Sequence, residues 1–505
     1  MRRAWPVFVF LALSTVANAA TPAASPPAGS TAADMTAAQK AGVERVVRDM
    51  MRKRNIPGLQ VAIVRHGRIA MRGAYGTANV QDGVPVTDDT VFSINSATKS
   101  FTGVAVMQLV EDGKLALDAP VSRYLDGLPA AWRPVTVRQL LTHTSGLPNI
   151  LVAPTGQGTG SLVGDGSEAS AWATVQTLPM DFPTGTRSRY NQTNYVILGK
   201  LIDKYSGEPF AEFIRDRQFE VAGMATARFG DSRDVVPHRA QPYRYPGGAV
   251  TVSGTHGVLH HAFDEFAPFI RTGAGLNASA GDVAKWIVAL EDGRLLRKPG
   301  SLDTLWARGK FNDGRDASWA LGWPTYARDP HPVVAGIGGR RSAFFVYPKD
   351  DLAVVVLTNL AGANPADFND EIAGQFYPEL LVENGGGLSP AIHALRTAAL
   401  ARGFDALPAI ADAQIARDAA LRPAEGDLNQ WGGRLMQDGE LPNAIAVFAL
   451  ATQLYPDSAN TWDSLGEANE AAGNRDAAIA AYRKSLALDP GNANAERHLA
   501  VLQTQ

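Results

Sequence analysis

Ser96 and Lys99 stand three residues apart in the run Ser96-Ala97-Thr98-Lys99, directly after the β-like stretch Val91-Phe92-Ser93-Ile94. That spacing puts both side chains on one face of a helix, where an amine can reach a hydroxyl or the proton it releases. The positive end of the helix favours an alkoxide forming at Ser96. Phe101, Val104, Met107, Leu109 and Val110 supply the apolar positions of such a helix. The chemistry is that of an activated serine nucleophile. Ser-x-x-Lys alone is a weak signal, since about two chance occurrences are expected in a chain of this size, and an exposed helix surface is its bland reading.

The segment Leu140-Leu141-Thr142-His143-Thr144-Ser145-Gly146-Leu147-Pro148 is far more specific. Together with Ser-x-x-Lys at a strand-to-helix junction, it resembles the class C β-lactamase and penicillin-binding family of serine hydrolases. His143 within it reads as a histidine holding a loop by hydrogen bonds rather than as a catalytic base. The resemblance extends over about residues 35 to 380. It implies that Tyr190, in Tyr190-Asn191-Gln192 after Phe182-Pro183-Thr184-Gly185, takes the base position. A tyrosine with its ordinary pKa near 10 serves there only if a cation such as Lys99 favours the phenolate or shares its proton. Gln192 falls where the family usually has asparagine, so substrate amide recognition is expected to differ.

The family's third motif, Lys-Thr-Gly or His-x-Gly on an edge strand, aligns with Gly336-Ile337-Gly338, without its basic residue. Leu321-Gly322-Trp323 upstream and Gly339 after the triplet keep the resemblance. Glycines let main-chain N–H groups approach a substrate, so Gly338 and Gly339 are expected at the binding site, with the Gly339 and Ser96 amides as an oxyanion hole. Loss of the cation removes a partner for a substrate carboxylate, for which Arg340 and Arg341 are the nearest replacements. Esterase or peptidase activity is therefore favoured over efficient β-lactamase activity. His256, His260 and His261 form the other noticeable cluster, but Gly257 stands where a metalloprotease helix would carry glutamate. No metal is expected, and the implied acyl-enzyme mechanism requires no cofactor.

The elements that would position these groups can be read coarsely. A helical pattern runs from Met35 to Arg54, and two β-rich runs over Leu59 to Met71 meet at His66-Gly67. A second hairpin is expected far downstream, Ser342 to Tyr347 and Leu352 to Thr358. Between them lie helical stretches at Ser96 to Asp112, Tyr195 to Tyr205 and Ala280 to Leu290. This is an α+β domain over residues 34–382, and the resemblance implies the serine β-lactamase/DD-peptidase fold: an antiparallel sheet built by both chain ends, with a helical insertion.

After the glycine cluster at 384–387 the composition turns to Ala-rich helix. Gly432 recurs as Gly466, Gly439 as Gly473, Ala444 as Ala478, Phe448 as Tyr482 and Pro456 as Pro490, the tetratricopeptide period. Residues 388–505 are expected to form an all-α tetratricopeptide-like domain, with Ala493 to Leu502 as a capping helix. A helical cap packed on the catalytic domain and a docking site for a protein partner are both open readings.

Residues 1–19 have the marks of an export signal: Arg2 and Arg3, an apolar run from Val7 to Val16, and Ala17-Asn18-Ala19 as the cleavage site. The run is too short for a membrane anchor. Residues 20–33, rich in Ala, Pro, Ser and Thr, read as a flexible tether. A periplasmic or secreted protein is expected, with no transmembrane segment after cleavage and the choice of exporter open. The net charge of −3 gives no Lys and Arg excess for nucleic acid. There is no cysteine, so disulfides and thiolate metal sites are excluded. The expected activity is acyl transfer from an ester, amide or β-lactam carbonyl, on a small or peptidoglycan-like substrate. The alternative is a non-catalytic receptor that binds penicillin-like cell-wall fragments and signals through the repeats.

Overall fold

The computed structural model describes residues 35–152, 161–245, 257–326, 328, 330–381 and 388–504. The expected export signal and tether, the glycine cluster at 384–387 and His256 lie outside them. A helix over Ala37–Arg54 leads the domain, started by a capping box between Thr36 and Gln39. It precedes β1 (Gly58–Arg65) and β2 (Arg68–Asn79), which turn at His66-Gly67, both with positive φ. β3 (Val84–Pro85) follows, and the sheet resumes only with β4 (Thr325–Tyr326), β5 (Val333–Gly338), β6 (Ser342–Tyr347) and β7 (Leu352–Thr358).

The spatial order is β4-β5-β6-β7-β1-β2-β3. The two ends of the domain join where β1 runs antiparallel to β7, with Val61 opposite Val356. Both hairpins fall where the sequence places them. Period two explains why β1 and β7 read as nearly unbroken apolar runs: both faces of the sheet are covered. Ala62, Val64, Val355 and Leu357 pack with Phe101, Trp286 and Trp323 on one face. Leu59, Val61, Val354 and Val356 pack with Val43, Val47, Phe368 and Ile372 on the other.

The helices of the insertion lie on the first face. The helix Thr98–Glu111 is buried on all sides from Thr98 to Leu109 and forms the centre of that layer. The helices Gln192–Ser206 and Ala280–Glu291 accompany it. His260 and His261 form a two-residue strand against Tyr243–Arg244. Among the described residues no helix is long and apolar enough to cross a membrane.

The C-terminal part is wholly helical, with pairs Pro390–Arg402 and Leu407–Arg417, Glu425–Gln437 and Leu441–Leu454, and Ala459–Ala471 and Arg475–Leu488, then Ala493–Thr504. The sequence repeat is a packing repeat. A Cβ at Gly432 would lie 2.6 Å from the Phe448 ring, and one at Gly466 2.6 Å from the Tyr482 ring, so each small residue admits the aromatic of its partner helix. The helical part meets the α+β part through Arg434, 3.7 Å from the buried Asp370 carboxylate. Asp370 also pairs with Arg328 and accepts from Tyr347 Oη at 2.8 Å.

Candidate active site

Ser96 is delivered by a short strand, Phe92–Ser93, paired with Leu276–Ala278, and by a single 3-10 turn, Asn95–Ala97, that runs into the helix Thr98–Glu111. Asn95 sits at φ 48°, an uncommon conformation for a non-glycine residue, and turns the chain sharply before the serine. Ser96 is half-buried between buried neighbours.

The Tyr190 hydroxyl lies 2.7 Å from Ser96 Oγ and donates to it. Lys99 is placed differently from the simplest expectation. Its Nζ donates to the Gly273 carbonyl at 2.8 Å, and it lies over the rings of Tyr190 and Tyr195 at 4.6 and 4.9 Å from their centres. The structure thus brings Ser96 and Tyr190 into direct contact, with Lys99 behind the tyrosine.

Electrostatics favour the uncharged forms. Burial holds the Lys99 amine well below its ordinary value. Withdrawal from water pushes the Tyr190 phenol up to about 12, against the hydrogen bonds with Ser96 and Gln192 that lower it. With 42% of Tyr190 still exposed, solvent softens that rise. These directions disfavour a resting phenolate held by a charged lysine.

Gln192 Nε2 reaches Tyr190 Oη at 3.4 Å, while its buried Oε1 has no donor among the described residues. Gly273 was not singled out in the sequence, yet a Cβ there would lie 2.6 Å from Gln192 Oε1 and 3.2 Å from Lys99 Nζ. Its only sequence signal is its place in Gly273-Ala274-Gly275, too common a pattern to find it. Trp319, also unmarked, stands 5.8 Å from the Tyr190 ring.

Gly338 and Gly339 press against the nucleophile turn. A Cβ on Gly338 would lie 1.9 Å from the Ile94 carbonyl and 2.7 Å from the Ser96 nitrogen. Gly339, at φ 57°, would bring one to 2.0 Å from Asn95 Nδ2. Only glycine allows this approach. Among the described residues the backbone amides of Ser96 and Gly339 have no acceptor, as donors for an oxyanion require.

The third motif has lost more than a charge. A Cβ on Gly336 would lie 2.0 Å from Cζ of Phe344, its cross-strand partner, and Phe344 is fully buried among Trp286 and Trp323. The expected stand-ins are also otherwise engaged. Arg340, at φ 52°, donates to Asn364 Oδ1 at 3.0 Å, and Arg341 is buried with its guanidinium on Asp264 at 2.8 Å. Reading them as replacements for the missing cation is therefore corrected: the turn after Gly339 sends both side chains to partners of their own.

The segment Leu140–Pro148 is the wall that holds the start of the helix Gln192–Ser206. Ser145 Oγ donates to Asn194 Oδ1 at 2.7 Å, Thr193 Oγ1 to the Pro148 carbonyl at 2.7 Å, and Asn191 Nδ2 to the Leu147 carbonyl at 2.5 Å.

A model of the family described as Beta-lactamase matches residues 43–376, and a tetratricopeptide repeat model matches residues 459–492. Esterase EstB of Burkholderia gladioli is 29% identical over 372 residues, which is 64% of this chain and 90% of that protein. Penicillin-binding protein 4 of Amycolatopsis lactamdurans is 28% identical over 364 residues, 67% of this chain and 89% of that one. Among solved structures, the octameric penicillin-binding protein homologue from Pyrococcus abyssi aligns with a TM-score of 0.57 at 25% identity, covering 71% of this chain and 81% of its own.

Proposed function

This chain belongs to the β-lactamase family of serine hydrolases, and on that premise we propose that it is an exported acyl-enzyme hydrolase acting on esters or amides that carry no carboxylate beside the scissile carbonyl. One observation supports the substrate preference. A fixed cation is needed to hold a β-lactam carboxylate, and Phe344 fills the space where a basic side chain at position 336 would begin.

Ser96 Oγ attacks the carbonyl carbon and gives its proton to the Tyr190–Lys99 pair. The oxyanion forms between the Ser96 and Gly339 amides. As the tetrahedral species collapses, the bond to the leaving group breaks and that group takes the proton back from the pair. Water then attacks the acyl carbon by the same route, regenerating Ser96 and releasing the acid. The receptor alternative gives no reason for a tyrosine hydroxyl at 2.7 Å from Ser96 Oγ.

The test is mass spectrometry of wild type and Ser96→Ala after exposure to a fluorophosphonate, an activated ester and a penicillin. Ser96-dependent adducts with turnover of the ester support the reading. No adduct with any of them favours the receptor, and cephalosporin hydrolysis far faster than that of short-chain esters overturns the substrate preference. Export is proposed from residues 1–19 alone, and a mature chain that does not begin near Ala20 would count against it. The repeats are proposed as the docking site of a protein partner.

A further inference from the structure

Among the described residues His143 makes no hydrogen bond to Ser96 or Lys99, yet it is bonded to the chain on both sides of Tyr190. The Arg189 amide donates to the His143 carbonyl at 2.9 Å, and the Asn191 amide donates to His143 Nδ1 at 3.2 Å. The backbone amides of the two residues on either side of the tyrosine are therefore held by one residue. The imidazole also backs the phenol, with ring centres 4.7 Å apart, and is closed in by Tyr195 at 5.3 Å and Trp319 at 4.6 Å.

The ring is built for this position. His143 is 1% exposed and stands at φ 58°, a left-handed conformation that a bulky side chain keeps only when its surroundings impose it. Nδ1 accepts from the Asn191 amide, and the Asn194 carboxamide lies 3.3 Å from it, so the proton of the neutral ring belongs on Nε2. Nε2 has no acceptor among the described residues, and the Trp319 ring meets the imidazole edge to face at 85°. Burial holds the imidazole well below its ordinary value and keeps the ring from taking a second proton, so Nδ1 stays an acceptor.

We propose that His143 is the positioning residue for Tyr190, fixing the two flanking amides and supporting the ring so that the phenol stays within reach of Ser96 Oγ. The assignment rests on the hydrolase reading given above. It goes beyond loop maintenance, because the bonds flank the residue whose hydroxyl reaches Ser96 Oγ.

The experiment uses the full chain as wild type, His143→Phe, His143→Asn, Tyr190→Phe and the double variant His143→Phe/Tyr190→Phe. p-Nitrophenyl butyrate is the substrate, and thermal unfolding is recorded for each. Phenylalanine keeps a ring and loses the acceptor, whereas asparagine keeps an acceptor near the Nδ1 position and tolerates positive φ. The expected result is a kcat lowered about 10- to 100-fold by His143→Phe, with KM nearly unchanged, as follows from misplacing a reacting group. His143→Asn recovers most of that loss. In the Tyr190→Phe background His143→Phe adds no further loss, because its effect runs through the phenol. A His143→Phe enzyme with wild-type kcat, equal losses in the Phe and Asn variants, or fully additive losses in the double variant would overturn the assignment. If His143→Phe does not fold, His143→Asn decides: near-wild-type kcat supports the assignment and a loss of about 100-fold overturns it. A wild type that forms no Ser96 adduct overturns the hydrolase reading and this assignment with it.

Discussion

Gly336 and Phe344 face each other across two strands, and the Phe344 ring occupies the space where a side chain on Gly336 would start, 2.0 Å from an added Cβ. Restoring the family's basic residue by Gly336→Lys is therefore expected to fail. Even Gly336→Ala overfills the site and should destabilise by about 1–3 kcal/mol. Phe344→Ala alone should cost about 3–5 kcal/mol through the cavity it leaves. The double variant should cost less than the sum, since the added methyl enters that cavity. Denaturant titration of the four proteins measures this, and strict additivity would mean the two residues do not compete for space. Nitrocefin hydrolysis by Gly336→Lys should stay at the wild-type level.

Tyr190 contacts Ser96 directly and Lys99 does not, so their removal should differ in kind. Tyr190→Phe takes away the hydroxyl at 2.7 Å and should lower kcat by roughly 10²- to 10⁴-fold, the usual worth of a positioned proton carrier. Lys99→Arg keeps a cation that cannot be deprotonated and should be inactive across the pH range. In the wild type, kcat/KM should fall on the acid side as the Lys99 amine gains a proton. Burial lowers that amine well below an ordinary lysine, which moves this limb to correspondingly lower pH. A pH–rate profile with an acid limb at the ordinary lysine value near 10.4 would contradict the lowering of the Lys99 amine by burial.

Much of this site was legible because its parts are local. A spacing of three puts Ser96 in the turn that enters the helix and Lys99 in its first turn, and alternation fixes the hairpins of the sheet. A constant offset fixes the repeats, down to Gly466 beneath Tyr482. The remainder depends on contacts between distant segments. The Gly273 carbonyl that holds Lys99 comes from a loop with no distinguishing pattern. Phe344 filling the place of a lost side chain is visible only once the β5–β6 register is known. Arg340 and Arg341 look available in sequence because charge is visible there, whereas the positive φ of Arg340 and the buried Asp264 are not.

The buried Lys99 also has a thermodynamic signature. Its pKa is lower in the folded chain than the value near 10.4 of an unfolded one. Between those two values the unfolded state binds more protons, so stability from this group rises with pH and is lost as pH falls through the folded value. Lys99→Met removes the amine and should abolish turnover. It should also raise unfolding free energy at pH 7 by on the order of 1 kcal/mol, an exchange of activity for stability. The difference between wild type and variant should shrink as the pH is raised toward 10, in urea titrations at several pH values. A constant difference would mean that Lys99 is charged in the folded protein.

Asp370 is the remaining place where a single side chain should matter far from Ser96. It lies on the opposite face of the sheet from the nucleophile helix and joins Arg328, Tyr347 and, from the helical part, Arg434. Asp370→Ala leaves the buried Arg328 guanidinium without its carboxylate, and breaking such a pair typically costs about 3–5 kcal/mol. Because no bond of this group reaches Ser96, Tyr190 or Lys99, kcat per reactive serine, counted with a fluorophosphonate, should be unchanged while the unfolding midpoint falls. Arg434→Met leaves Asp370 with Arg328 and Tyr347 and should cost less. Limited proteolysis should then separate the two parts of the chain earlier than in the wild type. Equal melting of wild type and Asp370→Ala would remove the carboxylate from the account of how the helical repeats are held.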